Sequence, residues 1–149
     1  MIQENTVIRV AAAEDAEQLI ALNESFNGQG EITLDSVHAS LSQNKQEMVI
    51  VAEVNAELVG FVCVQLKKSF CYADYMPEIT EVYVKPDFRK RGIATKMIAY
   101  AETCCTARFP LHKFELLTGQ NNRTAQAVYQ KLGYTDDREV HMIKRITAE

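Results

Sequence analysis

The sequence predicts an α/β (α+β) domain whose mixed, mostly antiparallel central sheet is flanked by helices. Three observations lead there. The apolar period switches along the chain between β-like runs and the three-and-four spacing of helices. Two strand-like runs, 48–54 and 57–66, are separated only by Asn55-Ala56, the spacing of a hairpin. Beyond them strand and helix patterns alternate, each short enough to lie across a small sheet. The element order is β-α-α-β-β-β-α-β-α-β.

Each element has its own warrant. Thr6-Val7-Ile8-Arg9-Val10 is a β-branched run and reads as the first strand. Glu14 and Asp15 suit the positive end of a helix, which carries Ala16, Leu19, Ile20 and Asn23 on one face until Asn27-Gly28-Gln29-Gly30 breaks it. Thr33 is an N-cap for a second helix over 33–42, with Leu34, Val37 and Leu41 in phase. After the hairpin, 79–84 alternates between Pro77 and Pro86 and reads as a strand. A helix follows over 92–106 with Ile93, Met97, Ala101 and Cys104 on one face. Residues 114–118 form a strand. Residues 122–132 form a helix with Ala125, Val128, Tyr129 and Leu132 at i, i+3, i+4 and i+7, ended by Gly133. Residues 141–146 are the final strand.

Composition narrows the function. The 149 residues fit one domain, 1–149, with a single core, and the 47% apolar content is ordinary for a globular chain. No window approaches the roughly 18 apolar residues of a membrane span. Met1-Ile2-Gln3-Glu4-Asn5 lacks the basic flank and apolar run of a signal peptide, so a cytoplasmic protein is expected. Cys63, Cys71, Cys104 and Cys105 contain no CxxC, and His38, His112 and His141 do not flank them at ligand spacing, so no metal site is expected.

The net charge of −4 is unevenly spread. Residues 1–84 hold 13 acids and 4 bases, whereas 85–96 hold Lys85, Arg89, Lys90, Arg91 and Lys96 against Asp87 alone. So short a basic stretch in an acidic chain disfavours nucleic acid and favours one small anion. The stretch lies between a strand and a helix that starts near Gly92. A helix start offers unpaired N–H groups and the positive end of the dipole, Gly92 admits close backbone approach, and Ala94 keeps the first turn narrow. Charge and glycine alone fit a solvated basic loop equally well. The spacing is neither a GxGxxG fingerprint nor a P-loop.

Arg89-Lys90-Arg91-Gly92-Ile93-Ala94 resembles the Arg/Gln-x-x-Gly-x-Gly/Ala signature of the GCN5-related N-acetyltransferase (GNAT) superfamily, which binds the pyrophosphate of acetyl-coenzyme A. Asn122-x-x-Ala125-x-x-Val128-Tyr129-x-x-Leu132-Gly133-Tyr134 is similar to that superfamily's Asn-x-x-Ala…Tyr…Gly-Phe/Tyr helix. The two motifs stand in the superfamily's order. The resemblance implies acetyl-CoA as cosubstrate. It also implies a strand splayed from its neighbour, with the backbone of Val82, Tyr83 and Val84 holding the acetyl and pantetheine groups. Arg89, Lys90, Arg91, Gly92, Ile93, Ala94 and Thr95 would hold the pyrophosphate, and Asn122 would touch the cofactor arm. Relatives are often dimers, so a homodimer is admitted.

Acetyl transfer to an amine needs a base for the amine, a polarised carbonyl and a proton for the departing thiolate. The resemblance gives Tyr129 the last role, although by spacing alone Tyr129 reads as ordinary helix core. Glu81 and Glu78 are the candidate bases, Glu81 first, because strict alternation places Glu81 beside Ile79 and Tyr83 in an otherwise apolar strand. A bulge would change that placement, and an acid on a solvated edge fits as well. The resemblance implies that residues 1–84 flank the acceptor side of the cleft, and the acids of that half, including Glu24, Glu31, Asp35, Asp74, Glu78 and Glu81, then point to a small cationic amine as acceptor. Phe70, Tyr72 and Tyr75 are candidates to stack on it. The competing readings are an acyl-CoA-binding sensor without turnover and an interaction domain whose basic loop meets an acidic partner.

Overall fold

The computed structural model describes residues 5–147; Met1–Glu4, part of the segment read for a signal peptide, and the last two residues lie outside the described residues. Five strands, β1 (Thr6–Val10), β2 (Glu47–Val54), β3 (Glu57–Gln65), β4 (Glu78–Val84) and β5 (Glu115–Leu116), form one sheet in that order. All neighbours are antiparallel except β4 and β5. Helices α1 (Ala16–Asn27) and α2 (Leu34–Gln43) cover one face, and α3 (Ile93–Arg108) and α4 (Arg123–Lys131) cover the other.

Local chemistry accounts for these elements. The Thr33 hydroxyl accepts from the Ser36 N–H at 3.1 Å, and the Ser36 hydroxyl accepts from the Thr33 N–H at 3.0 Å, so α2 starts in a reciprocal cap. Asn55 and Ala56 have φ of 51° and 69°, the left-handed pair of a type I′ turn, whose twist matches the β2–β3 hairpin. Asp15 is buried against Arg9 at 2.7 Å and accepts from the Ala12 N–H at 2.8 Å, tying the end of β1 to the start of α1. The Arg9 guanidinium holds this carboxyl below its ordinary range.

The core divides across the sheet. Ile50, Val62, Val64 and Ile79 pack with Met97, Ile98 and Cys105 of α3 on one side. Val51, Phe61 and Tyr83 pack with Leu19 and Leu22 of α1 on the other. Leu22 is thus buried where the periodicity favoured Ile20, and Cys105 is buried in place of Cys104. At Gly60 a Cβ would lie 2.7 Å from the Tyr83 carbonyl oxygen, so β3 and β4 approach too closely there for any side chain.

Three expectations are corrected. Strict alternation in β4 does not hold. Cys63 pairs with Glu81 and Val64 with Ile79, so Thr80 is an extra, bulged residue. Ile79 therefore shares the α3 face with Val82 and Val84, while Glu81 shares the α1 face with Tyr83. The 114–118 strand contracts to Glu115–Leu116, the only stretch that pairs with β4. The strand expected over 141–146 does not form: this segment finds no sheet neighbour among the described residues, and Val140, Met142, Ile143 and Ile146 stand in solvent.

Candidate active site

β4 and β5 pair at Glu78–Glu115 and Ile79–Leu116 and then part. The break coincides with the bulge at Thr80, which bends the strand and re-aims the residues after it. A cleft of about 290 Å³ fills the gap. Thr80, Glu81 and Val82 form one wall, and Leu117, Thr118 and Gly119 form the other. Asn122, Ala125 and Tyr129 enter from α4, and Phe26 enters from α1. A larger, more open hollow of about 500 Å³ lies past the end of β3 beside Lys67 and Met76. None of the predicted site residues line it, whereas Glu81, Val82, Asn122 and Tyr129 line the smaller cleft.

The basic loop runs through a short 3-10 turn, Pro86–Phe88, into α3. Lys90 has φ of 62°, and Gly92, at φ 79° and ψ 11°, is the N-cap. The first helical bond runs from the Lys96 N–H to the Gly92 carbonyl at 3.0 Å. The amides of Ile93, Ala94 and Thr95 precede it and have no carbonyl one turn back. No side chain caps this end, and its first turn holds no acidic residue. Left-handed residues beside a free helix start turn several N–H groups toward one point, a nest suited to an anion. The Ile93 side chain is core, so that residue can contribute only its amide.

The cations of the loop divide their work. Arg89 Nε donates to the Val84 carbonyl at 2.8 Å, and its guanidinium lies 5.7 Å from the Tyr83 ring centre. Arg91 Nη2 donates to the Asp87 carbonyl at 3.0 Å and covers Phe88 at 5.0 Å. Both brace the loop as well as charging it, while Lys90 is exposed. Among the strand residues, Val82 lines the cleft. Tyr83 and Val84 are buried, so they can offer only backbone, and the Val84 carbonyl already accepts from Arg89. Asn122 caps α4, its Oδ1 accepting from the Ala125 N–H at 3.2 Å, and also borders the cleft.

Tyr129 reaches the same cleft from α4. Its ring meets Tyr134 edge-on at 6.4 Å, and burial pushes its phenol above the ordinary value. Its hydroxyl has no hydrogen-bond partner among the described residues, whereas the Tyr134 hydroxyl donates to Glu102 at 2.7 Å. The two candidate bases are separated by circumstance. Glu81 lines the cleft. Glu78 is bound to Lys67 Nζ at 3.0 Å, which also holds Glu115 at 2.8 Å.

Three residues, one lining the cleft and two on the strands beside Glu81, were not singled out from sequence. Phe26 stacks on Tyr83 at 5.1 Å and meets Phe61 edge-on at 6.1 Å. Glu47, on β2, accepts from Gln65 Nε2 at 3.2 Å, and its carboxyl is pushed up by burial and then by the charge of Glu81. Cys63 pairs with Glu81 in register; burial, Glu47 and Glu81 all raise its thiol, which therefore stays protonated. Period-two alternation puts Glu47 on the face of Val49 and Val51, but a relation spanning three strands has no sequence signal. The aromatic residues proposed for the acceptor do not line this cleft: Tyr72 stacks on His112 at 6.4 Å, Tyr75 lies tilted against Phe109 at 4.3 Å, and Phe70 is exposed.

The model of the acetyltransferase (GNAT) family matches residues 13–134. The chain is 34% identical over 111 residues to an uncharacterized N-acetyltransferase of Methanocaldococcus jannaschii, covering 71% of this chain and 49% of that protein. It is also 34% identical over 88 residues to an acetyltransferase of Pectobacterium atrosepticum, covering 59% and 57%. The chain thus spans about half the length of the curated relatives it matches. In fold it is similar to an aminoglycoside acetyltransferase from an uncultured soil metagenomic sample, solved with sisomicin, with a TM-score of 0.84 at 17% identity, covering 95% and 97% of the two chains. A similar likeness holds to the aminoglycoside N-acetyltransferase AAC(6')-Iy in complex with CoA, with a TM-score of 0.82 at 19% identity and 98% of both chains covered. Because the family model spans both the basic loop and the Tyr129 helix, the chain belongs to the GNAT acetyltransferase family.

Proposed function

We propose that the protein transfers the acetyl group of acetyl-coenzyme A directly to the primary amine of a small cationic acceptor, within a single domain. The observation that carries this reading is a cleft along β4 that holds both a carboxylate, Glu81, and a partnerless phenol, Tyr129, followed directly along the chain by an uncapped, acid-free helix start. The cradle fits a pyrophosphate: it offers the amides of residues 93–95, and Gly92 has open space where a Cβ would point. When bound, acetyl-CoA supplies an activated thioester. The β4 edge freed beyond Ile79 supports its acyl arm, Glu81 accepts the proton shed by the attacking amine, and Tyr129 gives a proton to the departing sulfur. Glu47, whose carboxyl is raised first by burial and then by the charge of Glu81, is a second acid on the acceptor side of the sheet.

The base assignment has a direct test. Glu81→Gln should lower kcat/KM most near neutral pH and recover part of it at high pH, where more of the acceptor is already neutral. Glu78→Gln should change little, because Glu78 serves the Lys67 ion pair. The reverse pattern in steady-state rates would exchange the two roles.

Charge supports a cationic acceptor. Glu81 and Glu47 stand on the α1–α2 side, where Glu24, Asp35 and the aromatic face of Phe26 are exposed. Two structural neighbours are aminoglycoside acetyltransferases. A panel of amines assayed by release of free CoA thiol should rank polyamines and aminoglycosides first at low salt. Their kcat/KM should fall as ionic strength rises and the Debye length shrinks to about 8 Å at 0.15 M. A preference for neutral acceptors, or a salt-independent rate with a cationic one, would remove the charge argument. Tight CoA binding with no turnover of any amine would leave the sensor reading in place.

A further inference from the structure

α4 carries Tyr129, yet little holds it. It is nine residues long, no side chain in it is fully buried, and a helix of that length is marginal by itself. At its start, Gln126 Nε2 donates to the Gly119 and Gln120 carbonyls at 2.8 and 2.9 Å, which ties the helix only to the loop before it. At its end, the Tyr129 carbonyl accepts from the N–H groups of both Leu132 and Tyr134 at 3.0 Å, through a turn in which Gly133 has φ of 98°. The Tyr134 ring then meets the Tyr129 ring edge-on. Tyr129 and Tyr134 are therefore joined twice, by backbone and by ring, and form one unit.

That unit is fastened to α3. The Tyr134 hydroxyl donates to Glu102 Oε2 at 2.7 Å, a charge-assisted bond in a half-buried setting. α3 is anchored in the core: Ala101 and Cys105, on either side of Glu102, are buried, as are Met97 and Ile98. The uncapped start of the same helix, roughly 14 Å along its axis from Glu102, offers the free amides of the basic loop. We propose that Glu102, acting through Tyr134, is a positioning residue that sets the Tyr129 hydroxyl relative to the helix start that holds the cofactor. This inference rests on the assignment of Tyr129 as proton donor and extends it to residues that touch neither substrate nor reacting atoms. Packing does not call for the pair. A phenylalanine ring at position 134 would fill the same space, and a half-buried carboxylate carries a desolvation cost that its partner does little more than offset. What the bond adds is direction. Apolar contact is non-directional and lets a short helix slide, whereas one short hydrogen bond pins α4 to α3 at a single point. Proton donation needs hydrogen-bond reach, so a misplacement of about 1 Å is costly.

Steady-state kinetics and tyrosine NMR on the full chain test this. Glu102→Ala and Tyr134→Phe should each lower kcat about tenfold, with KM for acetyl-CoA within about twofold of wild type. Glu102→Gln, whose amide oxygen still accepts from the phenol, should recover most of that loss. In a Tyr129→Phe background neither Glu102→Ala nor Tyr134→Phe should lower kcat further, because no hydroxyl is left to place. With isotope-labelled tyrosine, the Tyr129 ring signal, assigned by its loss in Tyr129→Phe, should shift or broaden in Glu102→Ala and return to its wild-type position in Glu102→Gln. A wild-type kcat in Glu102→Ala beside a slow Tyr129→Phe would overturn the inference and leave the acid assignment standing. An undisturbed Tyr129 signal in Glu102→Ala, or a loss of equal size in the Tyr129→Phe background, would overturn it as well. A fast Tyr129→Phe whose wild-type ring signal still follows Glu102 would instead remove the acid role and keep the placement.

Discussion

Gly92→Asp should abolish the rise in melting temperature that CoA gives the wild type. A ligand at a hundred times its Kd stabilises the native state by about 2.7 kcal/mol, or about 5–10 °C for a domain of this size. The variant should show no shift, for reasons that leave the fold intact. Gly92 lies in the left-handed region at φ 79°, which aspartate tolerates better than most side chains, and a Cβ there meets nothing within 4 Å. A carboxylate at a helix N-terminus is itself favourable to the helix. The damage is competitive: the new carboxylate accepts from the amides that a pyrophosphate needs and repels its charge. Gly92→Ala separates the causes, since it keeps the backbone cost and leaves the amides free; it should retain most of the shift. Wild-type behaviour from Gly92→Asp in differential scanning fluorimetry and calorimetry would sink the assignment of this loop to the pyrophosphate.

Tyr129→Phe should lower kcat by about 10²–10⁴-fold with the affinity for CoA nearly unchanged. The ring keeps its edge-on contact with Tyr134, so packing is preserved and only the hydroxyl goes. The pH profile adds a second readout. Burial raises the phenol above its ordinary value of about 10, so the proton-donating form persists through neutral and moderately alkaline pH. Activity in the wild type should decline on the alkaline side only above that range, as the phenol ionises, and the variant should lack this decline. A kcat within a few-fold of wild type, with chemistry shown to limit the rate, would return Tyr129 to a packing role.

What was legible in the sequence was local. Thr33 was named as the cap of α2, and its partner Ser36 lies three residues on; Asn55-Ala56 sets the hairpin through two left-handed residues, and the Arg89–Ala94 loop carries its geometry within six residues. What was hidden depends on register between strands distant in sequence. Glu47 relates to Glu81 only because β3 sits between them in one pairing register, with Cys63 opposite Glu81. Phe26 enters the cleft because α1 crosses the face that holds Tyr83, a matter of tertiary packing that helical periodicity does not encode. The strand pattern over 141–146 was legible as a propensity, but a strand exists only where another strand receives it.

The extra residue at Thr80 acts as a frameshift written in three dimensions. Upstream of it, odd-numbered Ile79 belongs to the α3 face; downstream, odd-numbered Glu81 and Tyr83 belong to the α1 face, and the even-numbered residues Val82 and Val84 take over the α3 face. One seven-residue strand thereby obeys two parities, and a single position decides which face each later residue takes. In a relative aligned without that extra residue, the same letters would be dealt to the opposite faces. Column-by-column identity along this strand is therefore informative about function only on the side of the bulge where the count of residues agrees.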